Sequence, residues 1–258
     1  MTSRRTLFAA LALAGATALA GCGSSSGGVA TPTGESTLVV AAAASLQSAF
    51  TEIGREFQAA HDGVVVQFTF GGSSGLAAQL AEGAPADVFA SADVVNMDRA
   101  VDAGLVDGAP VPFARNTLEI VTHPGNPAGI EDLASLAQPG VELAVCAPQV
   151  PCGAATAAVA AEAGVVLRPA SEEQSVTDVL ARVTSGEADA GLVYVTDAAA
   201  AGAGVHRVPF PEAEKAVNEY PIAVLAASAA PALAGDFVAY VTGPEGQAVL
   251  AAHGFRAP

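Results

Sequence analysis

The chain contains no tryptophan, and aromatic residues make up only 5% of its 258 positions. Hydrophobic residues still reach 52%, so the core is built from Ala, Val and Leu, a composition suited to close packing of helices on sheets. Basic residues are scarce: 10 Lys and Arg stand against 26 Asp and Glu, a formal net charge of −16. Binding a nucleic-acid backbone needs clustered cations, so this balance argues against nucleic acid as a partner. Catalytic signatures are missing too. No G-x-S-x-G elbow, H-E-x-x-H pair or Walker loop occurs, and the Gly-rich GGSSG at 71–75 lacks the lysine of a P-loop. The four histidines (His61, His123, His206 and His253) are scattered singly, which gives no metal cluster.

What is present begins at the N-terminus. MTSRRTLFAALALAGATALAGC has a charged start in Arg4 and Arg5, an apolar run from Leu7, and small residues before Cys22, the three parts of an export signal over residues 1–21. The run is Ala-rich and broken by Gly15, a poor permanent membrane span. LAGC resembles the bacterial lipobox, in which the cysteine is lipidated and becomes the first mature residue. SRRTLF also resembles a twin-arginine signal, so the export route stays open. The Ser/Gly-rich residues 22–36 read as a flexible tether between lipid and domain. The expected location is therefore extracytoplasmic, anchored to the outer face of the cell membrane through Cys22. Without Arg4 and Arg5 the balance is 8 basic to 26 acidic residues, about −18.

Cysteine is sparser still than positive charge, at three residues: Cys22, Cys146 and Cys152. With Cys22 carrying lipid, the other two are left as a pair in an oxidising compartment. Zinc and thioredoxin-like chemistry would both want C-x-x-C spacing, which CAPQVPC at 146–152 does not offer. A structural disulfide between Cys146 and Cys152 is the expectation, contributing about 2 kcal/mol by loop-closure entropy.

From residue 37 onward, strand-like and helix-like patterns alternate. TLVVAAAA, VVVQFTF, ADVFASAD, LEIVTH, VELAVCA, ADAGLVYV and YPIAVLA read as strands. Between them, Leu46, Ala49, Phe50, Ile53 and Phe57 fall at helical spacing, and SSGLAAQLAEG, VVNMDRAVDAG, ATAAVAAEAG and SVTDVLARVTSG read as helices. Residues 236–254 read as one C-terminal helix. Such alternation predicts an α/β fold with mostly parallel sheets. Twice a strand ends in small residues, then serine, then a helix: at Ser45 and at Ser73–Ser74. Each such junction offers unpaired N–H groups, a helix dipole and a hydroxyl, which suits an anion, although a serine there can equally be an ordinary helix cap.

AAAASL, FGGSSGLAAQLAEGAPADVFASAD, VPCG and GLVYVTDA, in this order, resemble the periplasmic molybdate-binding proteins of ABC transporters, and the resemblance extends through EYPIAVL to GPEGQAVLAAHGF. It implies a two-lobed type II periplasmic binding protein fold, each lobe a mostly parallel sheet flanked by helices, with the ligand in the interlobe cleft. Lobe 1 is expected over 37–115 plus 222–258 and lobe 2 over 116–221, hinged near 113–117 and 219–224. The resemblance also implies five contacts to the oxyanion: Ser45 and Ser73 through their hydroxyls and backbone, Cys152 and Val176 through backbone N–H groups, and Tyr194 through its phenol. Where family members often carry alanine, this chain has Cys152, so the disulfide would fix the turn that presents that N–H.

The activity implied is capture of molybdate or tungstate for an ABC transporter permease, by a monomer with no cofactor, no metal cation and no enzymatic turnover. None of the five contacts is a carboxylate. Molybdate at neutral pH only accepts hydrogen bonds, whereas phosphate often keeps a proton that a donor-only site would leave unpaired, at about 1–3 kcal/mol. Sulfate has molybdate's charge and shape and remains the alternative ligand. An exported enzyme acting on a phosphorylated or sulfated substrate is the alternative of another class.

Overall fold

The computed structural model describes residues 35–258. The expected signal peptide, the lipidated Cys22 and nearly all of the tether lie outside the described residues. The chain begins with β1 (Ser36–Ala43), α1 (Gln47–Ala60), β2 (Val64–Gly71), α2 (Ser73–Ala81), β3 (Val88–Ala90), α3 (Val94–Asp102) and β4 (Val106–Asn116). It continues into β5 (Leu118–Thr122), β6 (Leu143–Cys146), α4 (Pro151–Ala163), β7 (Ser171–Glu173), α5 (Val176–Thr184), β8 (Ala190–Tyr194), α6 (Val195–Ala201) and β9 (His206–Val208). It then returns through β10 (Asn218–Leu225) and closes with α7 (Pro231–Thr242) and α8 (Pro244–Ala252).

Two five-stranded sheets result, ordered β2-β1-β3-β10-β4 and β7-β6-β8-β5-β9. Each is the sheet of one lobe, and their orders correspond strand for strand. In the first, β10 runs antiparallel to both β3 and β4 while β1 runs parallel to β2 and β3. In the second, β5 opposes β8 and β9 while β6 runs parallel to β7 and β8. Four strands of each sheet thus share a direction and one is reversed. The reversed strands are the two by which the chain enters from the other lobe. β4 runs towards the cleft, passes through Thr117 alone, and leaves the cleft as β5. The two-lobed type II fold follows from this pair of mixed sheets.

Helical periodicity places Ala49, Phe50, Ile53 and Phe57 of α1 on one buried face, against the first sheet. There Phe50 meets Phe68, Phe113 and Phe237 at centroid distances of 6.2, 5.7 and 6.1 Å. The second lobe's core is aliphatic apart from Tyr194 and Phe210. One expectation needs correction. The single C-terminal helix is two, because Gly243 is extended (ψ 175°) and Pro244, which lacks an N–H and restricts the residue before it, starts α8 afresh. β4, β7 and β9 carry no clear strand signal: β4 contains Gly108 and two prolines, and the other two are three residues long.

Candidate functional site

Ser45, Ser73, Cys152, Val176 and Tyr194, spread over 150 positions of sequence, all line one small cavity between the lobes. Ala43, Ala44, Gly71, Gly72, Ala92, Val150 and Pro151 complete its wall, so no carboxylate, imidazole, ammonium or guanidinium reaches it. Local sequence explains why each of the five stands there. Ser45 sits in a 3-10 turn (Ala44–Leu46) that joins β1 to α1, and Ser73, Cys152 and Val176 occupy the first or second position of α2, α4 and α5. Tyr194 ends β8 and caps α6. Helix N-termini carry unpaired N–H groups and a partial positive charge of about half an electron each, so their convergence makes an anion-friendly pocket without any formal cation.

Neither serine serves as a helix cap. The N-cap positions of the 3-10 turn and of α2 are Ala43 and Gly72, and neither helix has a side-chain cap bond. Ser175 shows what a capping serine looks like in this chain: its Oγ accepts from Asp178 N at 3.2 Å. Ser73 Oγ instead accepts from the backbone N–H of Ala92 at 2.9 Å, which leaves its own proton to donate elsewhere. Ser45 Oγ pairs with the Tyr220 hydroxyl at 3.0 Å. Among the described residues, the N–H groups of Cys152 and Val176 have no acceptor. The Tyr194 hydroxyl is fully buried and has no hydrogen-bond partner. A buried phenol in that state is costly, by about 1–3 kcal/mol, unless something in the cavity accepts its proton.

On the lobe 2 wall, Cys146 and Cys152 form the expected disulfide, with Cα atoms 5.6 Å apart. The bond spans the turn from β6 into α4. Gly153 is needed in that turn, because a Cβ there would lie 2.0 Å from the Ala147 carbonyl oxygen. The lobes themselves touch beside the cavity. A Cβ on Gly72 of lobe 1 would stand 2.1 Å from the Gln174 carbonyl oxygen of lobe 2, so these backbones meet only because residue 72 is glycine.

Burial pushes the Tyr194 phenol well above its ordinary value, helped by Tyr220, Asp93 and Asp197 nearby, so the hydroxyl keeps its proton and acts as a donor. Asp197, three residues on, is raised by burial to about 7, although Tyr194 N donates to its Oδ2 at 3.2 Å. Asp93 is raised by burial against bonds from Asn96 and Ser91. Among the described residues, no group of three or more His, Cys, Asp or Glu could hold a metal ion. No helix among them is long and apolar enough to cross a membrane.

Residues 38–256 match the model of the bacterial extracellular solute-binding protein family. The chain belongs to that family. Among its relatives, the molybdate-binding protein ModA of Mycobacterium tuberculosis is 52% identical over 255 residues, covering 98% of this chain and 97% of that one. The periplasmic molybdate-binding protein of Azotobacter vinelandii superposes with a TM-score of 0.75 at 25% identity, over 86% of this chain and 99% of that one. The sulfate-binding protein SubI of Mycobacterium tuberculosis superposes with a TM-score of 0.73 at 25% identity, over 86% and 87%.

Three features of this solute-binding protein's cleft escaped the sequence reading. Gly72 lies inside the recognised FGGSSG stretch, but its contact with Gln174 joins positions a hundred residues apart. Ala92 acts through its N–H and has no side-chain signature. Tyr220 stands in EYPIAVL and is one of only three tyrosines, which was the available hint.

Proposed function

We propose that this protein captures molybdate, and its near-isostere tungstate, in the interlobe cavity and hands it to the permease of an ABC transporter without chemical turnover. The observation that carries the reading is the donor set: two hydroxyls already committed at the back, two free N–H groups, and a buried phenol with no partner, facing a space with no ionisable acceptor. Such a site matches a fully deprotonated tetrahedral dianion, whose oxygens only accept. The 52% identity with a molybdate-binding protein supports the same ligand.

In this reading Ser45 and Ser73 bind from lobe 1, and Cys152, Val176 and Tyr194 from lobe 2, so the anion bridges the lobes and favours the closed arrangement. Opening at the permease separates the two half-sites and releases the anion. Lobe 1 is taken as 37–116 plus 218–258 and lobe 2 as 118–217, a few residues from the expected boundaries because β4 and β10 pair in the first sheet as far as Asn116 and Asn218, with the hinge in the two connections between the sheets. The protein works as a monomer, held to the membrane by lipid on Cys22.

Thermal unfolding of the chain carrying Cys22→Ser, with molybdate, tungstate, sulfate and phosphate in turn, tests the proposal. A ligand at a hundred times its Kd stabilises by about 2.7 kcal/mol, a readily measured midpoint shift. Shifts with molybdate and tungstate but not sulfate are expected. An equal response to sulfate would move the assignment to that anion, and no response to any would refute oxyanion capture.

A further inference from the structure

Tyr220 is absent from the cavity wall, yet its hydroxyl lies 3.0 Å from Ser45 Oγ, across 175 positions of sequence. It belongs to β10, the strand by which the chain re-enters lobe 1. Its ring is fully buried and met edge-on by Phe255, Tyr194 and Phe113 at 5.5, 5.9 and 6.2 Å. We propose that Tyr220 is a positioning residue for the anion: its phenol donates to Ser45 Oγ, occupying a lone pair there and turning the serine's own proton into the cavity. This rests on the oxyanion reading of the cavity.

The direction of the bond follows from elementary chemistry. A phenol is a far stronger acid than an alkyl alcohol and therefore the better donor. The 3.0 Å separation is that of a full hydrogen bond, so the proton has to belong to one of the two hydroxyls. Were Ser45 the donor instead, its only proton would be spent on the phenol and none would face the cavity. The other serine offers a parallel that cannot run backwards. Ser73 Oγ accepts from Ala92 N, and a backbone N–H only donates. Both lobe 1 hydroxyls thus have a donor behind them and a proton in front, one arranged by local backbone and the other by a distant side chain. A hydroxyl held this way presents a proton to the anion without first having to find that rotamer, which is preorganisation of the site.

A double-mutant cycle separates this role from simple packing. Molybdate affinity is measured by calorimetry for the parent, Tyr220→Phe, Ser45→Ala and the pair, with Ser73→Ala and Ser73→Ala/Tyr220→Phe as the control arm; sulfate is the second probe. Phenylalanine keeps the ring, and the ligand-free unfolding midpoint of each variant reports whether the fold holds. Tyr220→Phe is expected to raise Kd about tenfold in the parent and again in Ser73→Ala, but less than about twofold in Ser45→Ala, because there the hydroxyl it acts through is gone. Equal losses in all three backgrounds, or no loss in the parent, would overturn the proposal while leaving anion capture intact. A parent protein that bound neither probe would overturn the functional reading and this proposal together.

Discussion

Lobe 1 contributes Ser45 and Ser73 to the cavity wall, with hydroxyls to offer, whereas lobe 2 contributes Cys152 and Val176, with only backbone N–H groups to offer, and Tyr194. The sheets have corresponding strand orders, so the difference is not one of architecture. It extends to the interiors. Phe50, Phe57, Phe68, Phe113 and Phe237 interlock in lobe 1, while lobe 2 packs Ala, Val and Leu around Tyr194 and Phe210 and carries the disulfide. Side-chain donors can be deleted by substitution. Backbone donors can only be misplaced, so lobe 2 depends on the geometry of its turns, and it is there that the covalent clamp stands.

The largest expected effects come from deleting hydroxyl donors on either side. On the proposed reading, Ser45→Ala and Tyr194→Phe would each remove a hydrogen bond to a charged ligand, about 1.5–3 kcal/mol, so calorimetric Kd should rise about 10- to 150-fold. A negligible change for one of them would break the symmetry of the two half-sites. Gly72→Ala strikes where the lobes meet. At φ −64° alanine fits the backbone, so the ligand-free protein should be as stable as the parent or more so. Its Cβ nevertheless overlaps Gln174 O in the closed arrangement, and Kd should weaken about tenfold or more through the smaller competent population. An unchanged Kd would show that this contact is not needed for capture.

Cys146→Ser/Cys152→Ser sharpens the contrast between turns. Opening this short loop should lower stability by about 2 kcal/mol, seen as a lower unfolding midpoint, and should raise the anion's dissociation rate. An unaltered dissociation rate would make the clamp structural only. The last contrast is a pH slope in lobe 2, which reads stability and leaves the anion contacts alone. Asp197 is ordinarily 3.8 and is raised to about 7 in the folded protein, so the fold holds its proton while the unfolded chain has lost it. Stability should therefore fall as pH rises from about 4 to about 7, and Asp197→Asn should remove that part of the fall. The midpoint-against-pH curves of the two proteins check this, and parallel curves would show that Asp197 ionises freely.

Much of this was legible before the fold. Ser45 and Ser73 stand at strand-to-helix junctions with small residues before them, and VPCG and SVTDVL mark the starts of α4 and α5 by proline and by serine. These signals are local: they depend on dihedral preferences, N-terminal N–H groups and apolar periodicity within a dozen residues. Cys146 and Cys152, six apart, could pair within one turn. The two C-terminal helices read as one in sequence because residues 236–254 carry a mostly apolar pattern across Gly243–Pro244, and the break there outweighs it.

Sequence by itself therefore determined most of the elements, the donor-bearing junctions and the family, since each is written in short stretches. Tertiary structure alone decided that five junctions meet at one cavity, that the capping role of the serines is unused, that Gly72 admits the Gln174 carbonyl, and that Tyr220 stands behind Ser45. The last two join positions about a hundred and 175 residues apart. They depend on which strands lie side by side and on approaches of a few ångströms, and local preference does not encode either.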